Sequence, residues 1–276
     1  MGTAQQPTIA LTDGRTIPQL GFGVFQIPPG EDTKRAVEAA LAAGYRHVDT
    51  ASVYRNETDV GAAIRASGLP PSSVWVTTKL ANRDQGGATA RRAFEVSLEQ
   101  LGLDAIDLYL LHWPHELRLE SWRVLEQLHS EGLARSIGVS NFLVRHLDEL
   151  LAHASVPPTV NQIELSPFLY RTREDTLRRC AEAEIAVEAY SPLTKGRRLE
   201  DSRVATIAGE VARTAAQVLI RWSLQKGFVV LPRSSNAGRI TENAAVFDFA
   251  LDDGQIARLD ALDEGLTTGW DPVRQG

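Results

Sequence analysis

Residues 107–114, Asp-Leu-Tyr-Leu-Leu-His-Trp-Pro, form an apolar run that stops at a histidine, a tryptophan and a proline. A run of four to eight apolar residues can be a buried strand or part of a buried helix. Tyr109, the aspartates before it and Pro114 after it favour a strand, with His112 at its carboxyl end. In open parallel sheets and in closed parallel barrels, that end of a strand carries the chemistry. The reading of the whole chain therefore turns on which other polar groups arrive beside His112.

Outward from this run, strand and helix patterns alternate. On the amino-terminal side, VWVTTK reads as a strand ending at Lys79, and YRHVDTA as a strand ending at Asp49. Helices are predicted over 32–43, 57–66 and 89–101; the first carries Ala36, Val37, Ala40 and Leu41 on one stripe and is stopped by Gly44. On the carboxyl-terminal side, helices over 121–130, 142–151, 173–182, 203–212 and 215–225 separate strands in ARSIGVSN, TVNQIE, IAVEAYSP and GFVVLP. Further helices are expected near 240–246 and 252–259. The central strands are then eight, near Phe22, Val48, Val76, Leu110, Ile137, Ile163, Val187 and Val230. Several are apolar almost throughout, the signature of a parallel sheet covered on both faces.

Eight such units predict a closed (β/α)8 barrel, a single domain over 1–276. Asp13-Gly14 between apolar residues is a hairpin signal. It is expected to make residues 8–18 a cap on the amino-terminal mouth, with 261–276 a tail near the active-site mouth. A doubly wound sheet is the competing architecture, but the glycine-rich dinucleotide fingerprint is missing, and Gly21-Phe22-Gly23 alone is a weak signal.

Composition narrows the function classes. With 29 basic against 35 acidic residues and a net charge of -6, no nucleic-acid partner is expected, although a local basic patch could hold a phosphate. The single Cys180 excludes an intrachain disulfide framework and a Cys-rich metal site, and the six histidines show no ligand spacing. No apolar stretch reaches the roughly 20 residues of a membrane span, and residues 1–7 lack a signal-peptide core. A cytoplasmic monomer without a membrane partner is expected.

On the barrel reading Asp49, Lys79 and His112 converge from successive strand ends, with Tyr54 in the loop just past Asp49. Each has an ordinary alternative: a capping carboxylate, a solvated lysine, a partly buried phenol, a histidine bonded to backbone. Together they suit carbonyl reduction. A phenol titrates near 10, and a neighbouring ammonium should lower that value. Asp49 would keep the Lys79 ammonium charged, and Lys79 and His112 would stabilise negative charge on a carbonyl oxygen. No side chain supplies a hydride, so a cofactor must.

The segments GYRHVDTASVYRNE, VTTKL, DLYLLHWP, GLARSIGVSN, VNQIEL, AYSPL and LPRSSNAGRITEN, taken together, resemble the aldo-keto reductase family over nearly the whole chain. The likeness is greatest to bacterial 2,5-diketo-gluconate reductases. The resemblance implies a TIM barrel that reduces aldehydes and ketones with a nicotinamide cofactor, with Asp49, Tyr54, Lys79 and His112 as a catalytic tetrad and Tyr54 as proton donor. It assigns Ser140, Asn141 and Gln162 to the nicotinamide amide, Tyr190 to the nicotinamide face, and Ser191 and Leu193, with help from Lys195, to the pyrophosphate. It places Arg233, Ser234, Ser235 and Arg239 around an adenosine 2′-phosphate, and Glu242 and Asn243 near adenine. Relatives commonly have Lys at Arg233, whose planar fork is not equivalent to an ammonium. NADPH is accordingly the expected cofactor, with NADH as the alternative.

Phe22, Phe25, Trp113 and Trp270 are candidate pocket walls, since apolar walls around a few polar groups mark small-ligand pockets. Three departures bear on substrate. Ala81 stands where relatives often have Trp, residues 114–122 are shorter than the usual first substrate loop, and Ser166 replaces a common His. Lost bulk and a short loop predict a broad-specificity reductase of aldehydes, ketones or dicarbonyls. Alcohol oxidation, a cofactor-binding barrel with little turnover, and a metal-dependent lyase or hydrolase are the competing functions.

Overall fold

The computed structural model describes residues 6–269. Two short antiparallel strands come first, β1 (Thr8–Ala10) and β2 (Thr16–Pro18). The central strands follow as β3 (Phe22–Gly23), β4 (His47–Asp49), β5 (Trp75–Leu80), β6 (Ile106–Leu111), β7 (Ala134–Ser140), β8 (Val160–Glu164), β9 (Ala186–Tyr190) and β10 (Val229–Leu231). They form one parallel sheet in unbroken sequence order. Its two edges meet: Leu20 bridges Val230 in parallel, Gly21 N donates to Val230 O (2.8 Å), and Val230 N donates to Gln19 O (2.8 Å). The predicted (β/α)8 barrel is present, with the hairpin as an addition.

The helices are α1 (Glu31–Ala42), α2 (Glu57–Ala66), α3 (Gly87–Leu101), α4 (Arg118–Ser130), α5 (Val144–His153), α6 (Glu174–Glu182), α7 (Ser202–Glu210), α8 (Ala215–Gln225), α9 (Ala237–Ala244) and α10 (Asp253–Asp260). Two of the predicted spans, 57–66 and 215–225, coincide with α2 and α8; the latter begins at a Thr214/Gln217 capping box. Helix α5 starts two residues later than expected, because Asn141 is left-handed at φ 65° and Leu143 is extended. Helix α7 is the additional helix between β9 and β10.

Side-chain alternation divides the apolar residues into two layers. Tyr109 and Leu111 face the helices, in a large core that includes Val37, Ile64, Phe94 and Leu125. Leu108 and Leu110 point the other way, into the barrel, where they meet Val160, Val229 and the hairpin residues Leu11 and Ile17. The hairpin therefore plugs the barrel floor, and Ser136 Oγ, near the start of β7, donates to Asp13 Oδ2 at 2.6 Å. Above this floor the barrel interior becomes polar.

Gly61 lies where α2 crosses the end of α3. A Cβ there would sit 2.0 Å from the Leu101 carbonyl oxygen, so the helices can touch only without a side chain. Gly209 in α7 has nothing within 4 Å of such an atom. Gly61→Ala is expected to destabilise the protein by about 1–3 kcal/mol through overpacking. Gly209→Ala should stabilise it by up to about 1 kcal/mol through helix propensity. Urea unfolding of the two variants checks this contrast in sign.

Candidate functional site

All eight parallel strands end at one mouth, and the polar groups gather just inside it. Lys79 is fully buried, and its Nζ donates to Asp49 Oδ1, Asp49 Oδ2 and Thr50 O, each at 2.8 Å. All three ammonium protons are thereby satisfied. The same Nζ lies 5.1 Å from the centre of the Tyr54 ring. Tyr54 is held in a short 3-10 turn, Ser52–Tyr54, which Ser52 Oγ anchors by donating to Lys79 O at 3.0 Å. His112 stands edge-to-face against Tyr54, with ring centres 5.8 Å apart. Asp49, Tyr54, Lys79 and His112 are thus brought together.

The electrostatics differ from the expectation in one respect. Burial pushes the Tyr54 phenol above its ordinary value, and the nearby Lys79 charge opposes that rise without cancelling it. The expected net lowering is absent; Tyr54 is a phenol that keeps its proton at neutral pH. Burial alone would lower the Lys79 pKa, but Asp49 and Tyr54 reverse this and hold it above the usual ammonium value. Burial, then the Lys79 charge, lower His112 to about 3, so its imidazole is neutral at pH 7 and carries one N–H donor.

The polar residues after β7, β8 and β9 are tied to one another. Asn141 Nδ2 donates to His112 O and to Ser140 Oγ, each at 3.0 Å, and Asn141 Oδ1 accepts from the Tyr190 hydroxyl at 2.8 Å. Ser140 Oγ donates to Gln162 O at 2.9 Å. The Asn141 side chain thus joins three strand ends. Gln162 turns its amide nitrogen into the barrel, donating to Asp49 Oδ2 at 2.8 Å and to Glu188 Oε2.

Around the seam between β3 and β10, the two arginines behave differently. Arg233 Nε donates to Phe25 O at 3.1 Å and its Nη2 to Gln26 O, stapling the loop after β3. Arg239 is exposed, and its guanidinium makes no ion pair or hydrogen bond among the described residues, while its backbone N–H donates to the Asn236 cap of α9 at 3.0 Å. Ser234 Oγ accepts from Asn236 N, Ser235 is exposed, and Asn243 is buried. Glu242 Oε1 accepts from Thr214 Oγ1 at 2.8 Å, tying α9 to α8. Ser191 and Leu193 are half-buried beside Lys195, whose Nζ donates to Thr268 O and lies 5.6 Å from the Phe25 ring centre.

The pocket walls are only partly assembled. Phe25 is 46% exposed and its ring centre is 4.9 Å from that of Tyr54. Trp113 is half-buried next to His112, with its carbonyl bonded by Gln85. Phe22 is not at the mouth: strand alternation turns it outward, onto Tyr45 in the core. Ala81 is 1% exposed, so the space expected from its small side chain is filled rather than open. Ser166 is buried. Trp270 lies outside the described residues.

Sequence reasoning passed over Glu188 and His47. Both are buried in the barrel, with His47 Nε2 2.9 Å from Thr77 Oγ1 and 3.4 Å from Glu188 Oε1. The available signal was position: each lies two residues before a named site residue, Asp49 or Tyr190, and so faces the same interior. Gly21 makes room for His47, since a Cβ at Gly21 would lie 2.6 Å from its Nδ1. Among the described residues no group of three or more His, Cys, Asp or Glu could hold a metal ion. No described helix is long and apolar enough to cross a membrane.

The mouth of a parallel barrel therefore holds a buried lysine–carboxylate pair beside a phenol and a neutral imidazole. The sequence matches the family model described as "Aldo/keto reductase family" over residues 19–264, and the chain belongs to that family. It is 48% identical over 269 residues to an aldo-keto reductase of Mycobacterium sp. (strain KMS), covering 96% of each chain. It is 42% identical over 273 residues to a glyoxal reductase of Bacillus subtilis (strain 168), covering 99% of this chain and 98% of that one. A crystal structure of a Bombyx mori aldo-keto reductase in complex with NADP superposes with a TM-score of 0.89 at 34% identity, covering 96% and 95% of the two chains.

Two stability outcomes follow from the buried groups. Lys79→Met leaves Asp49 buried without its cation, and a loss of about 3–5 kcal/mol is expected in chemical unfolding at pH 7. His47 is held near pKa 3 by burial, so it is neutral when folded and takes up a proton on unfolding below about pH 6.5. The stability it contributes is complete above that pH and is lost as pH falls towards 3. The dependence of unfolding free energy on pH between 6 and 4 should be shallower in His47→Asn, by up to about 1.4 kcal/mol per pH unit.

Proposed function

We propose that the protein reduces aldehydes, ketones or dicarbonyls to alcohols with NADPH, Tyr54 giving the proton. The observation that carries this reading is the Lys79 ammonium, held by three bonds to Asp49 and Thr50 and placed 5.1 Å from the Tyr54 ring. A bound nicotinamide cofactor would supply the hydride, which no side chain can. Tyr54, protonated at neutral pH, would donate to the carbonyl oxygen as negative charge grows there. Lys79 stabilises the phenolate left behind, and the neutral His112 N–H is a second donor to that oxygen.

The residues present fit such a cofactor. Ser140, Asn141 and Tyr190 form a polar ledge next to His112, able to orient a carboxamide. Gln162 would take part only through its carbonyl oxygen, since both amide protons are engaged within the barrel. Arg239, exposed at the first turn of α9, is the cation best placed for an adenosine 2′-phosphate. Arg233 contributes there more weakly, because its fork already holds Phe25 and Gln26. The NADP bound by the Bombyx mori relative supports the same choice of cofactor.

For the substrate, the exposed Phe25 ring beside Tyr54 and the short connection from β6 to α4 favour an open, partly apolar entrance. The glyoxal reductase relative supports small dicarbonyls within that range. The narrower likeness to 2,5-diketo-gluconate reductases is a proposal of the same kind, tested by including that sugar acid.

In a panel of carbonyl substrates, NADPH oxidation should be measurable for the wild type. Tyr54→Phe should lower kcat by about 10²–10⁴-fold while leaving the cofactor Kd, read by fluorescence, unchanged. Undiminished turnover would defeat the role of Tyr54. Arg239→Ala should weaken NADPH by roughly 10–100-fold and NADH little, as expected for losing a charge-assisted bond to phosphate. Equal losses for both cofactors would remove the 2′-phosphate contact.

A further inference from the structure

The barrel interior contains a second carboxyl group that the proposed reaction does not use. Glu188 lies on β9 between Gln162 of β8 and Val229 of β10 in the strand register, and it is wholly buried. Gln162 Nε2 spends one proton on Glu188 Oε2 and the other on Asp49 Oδ2. The same Asp49 is the partner of the Lys79 ammonium. An unbroken line of contacts thus runs from Glu188 through Gln162 and Asp49 to Lys79 and the Tyr54 ring. Its other end meets His47, whose Nε2 is 3.4 Å from Glu188 Oε1.

Charge counting decides the state of this line. The titratable groups that face Glu188 are His47 and Asp49 from β4, Lys79 from β5 and the Tyr54 phenol from the turn after β4, while β10 brings only Val229 beside it. His47 and His112 are neutral. One ammonium therefore serves two buried carboxyls. With Asp49 ionised the site is balanced; ionising Glu188 as well would leave an unpaired negative charge in the barrel, which burial penalises heavily. Glu188 Oε1 has no hydrogen-bond partner among the described residues, and only the neutral His47 ring at 3.4 Å lies beside it, so a negative charge there would be left without a donor.

We propose that Glu188 is a positioning residue which, as a neutral acid, anchors the Gln162 amide and through it keeps Asp49 and the Lys79 ammonium aligned on Tyr54. Burial, followed by the Asp49 charge, raises the Glu188 pKa to about 8, so the proton is retained at neutral pH. Above that pH the new negative charge faces the phenol and holds its proton more tightly. The inference rests on the reading of Tyr54 as proton donor, but its physical core can be tested without turnover.

Three full-length proteins decide it: wild type, Glu188→Gln and Glu188→Ala. Glutamine copies the neutral acid, its carbonyl accepting from Gln162. Ultraviolet titration of the Tyr54 phenol, assigned by subtracting Tyr54→Phe, should show ionisation at lower pH in Glu188→Gln than in wild type. An unchanged Tyr54 titration overturns the proposal. In carbonyl reduction, Glu188→Gln should stay within about threefold of wild-type kcat at pH 7 and extend the plateau to higher pH. Glu188→Ala should lose at least about tenfold in kcat with an unchanged cofactor Kd. Wild-type kcat in Glu188→Ala, or an equal loss in both variants, also overturns it. A wild type that reduces no carbonyl would sink the reaction assigned above, while the phenol titration would still judge Glu188.

Discussion

The buried pair of Lys79 and Asp49 is the constraint around which this barrel is built. An ammonium with no exposed surface survives only if each of its protons has an acceptor, and here two go to Asp49 and one to the Thr50 carbonyl. Both side chains come from adjacent strands, in the layer above the apolar floor formed by Leu108, Leu110, Val160 and Val229. The hairpin residues Leu11 and Ile17 close that floor from below. The pair is thus isolated from water on one side and meets Tyr54 on the other.

Much of this was legible in the sequence because parallel barrels convert strand order into position. Once DLYLLHWP is a strand, YRHVDTA and VTTKL must end at the same mouth, whatever separates them in the chain. Local signals sufficed for the helices that carry their own punctuation, such as α8 behind Thr214 and Gln217. They failed for α5, whose start is set by the left-handed Asn141, a conformation fixed by bonds to strand ends rather than by its neighbours in sequence.

The site residues that escaped notice share a physical reason. Glu188 and His47 carry no motif; they matter because the closed sheet turns them inward, and that depends on a register known only in three dimensions. The same applies to Phe22 and Ala81, which the sequence offers as walls and the packing buries. Arg233 looked like a cation in search of an anion, yet backbone carbonyls across the seam already occupy it. The sign of the Tyr54 shift also needed coordinates, since it is the outcome of burial against a nearby charge.

The seam itself has a consequence for how the chain comes into being. The barrel closes through a handful of backbone bonds between Gln19, Gly21 and Val230, residues far apart in the sequence. During synthesis from the amino terminus, β3 and the strands after it emerge long before β10 exists, so the nascent sheet presents an unpaired edge until β10 has been made. Contacts this distant in sequence are slow to form, and exposed strand edges invite pairing with other chains. A ribosome-stalled fragment ending before Val229 is, on this geometry, an aggregation hazard that the finished protein no longer carries.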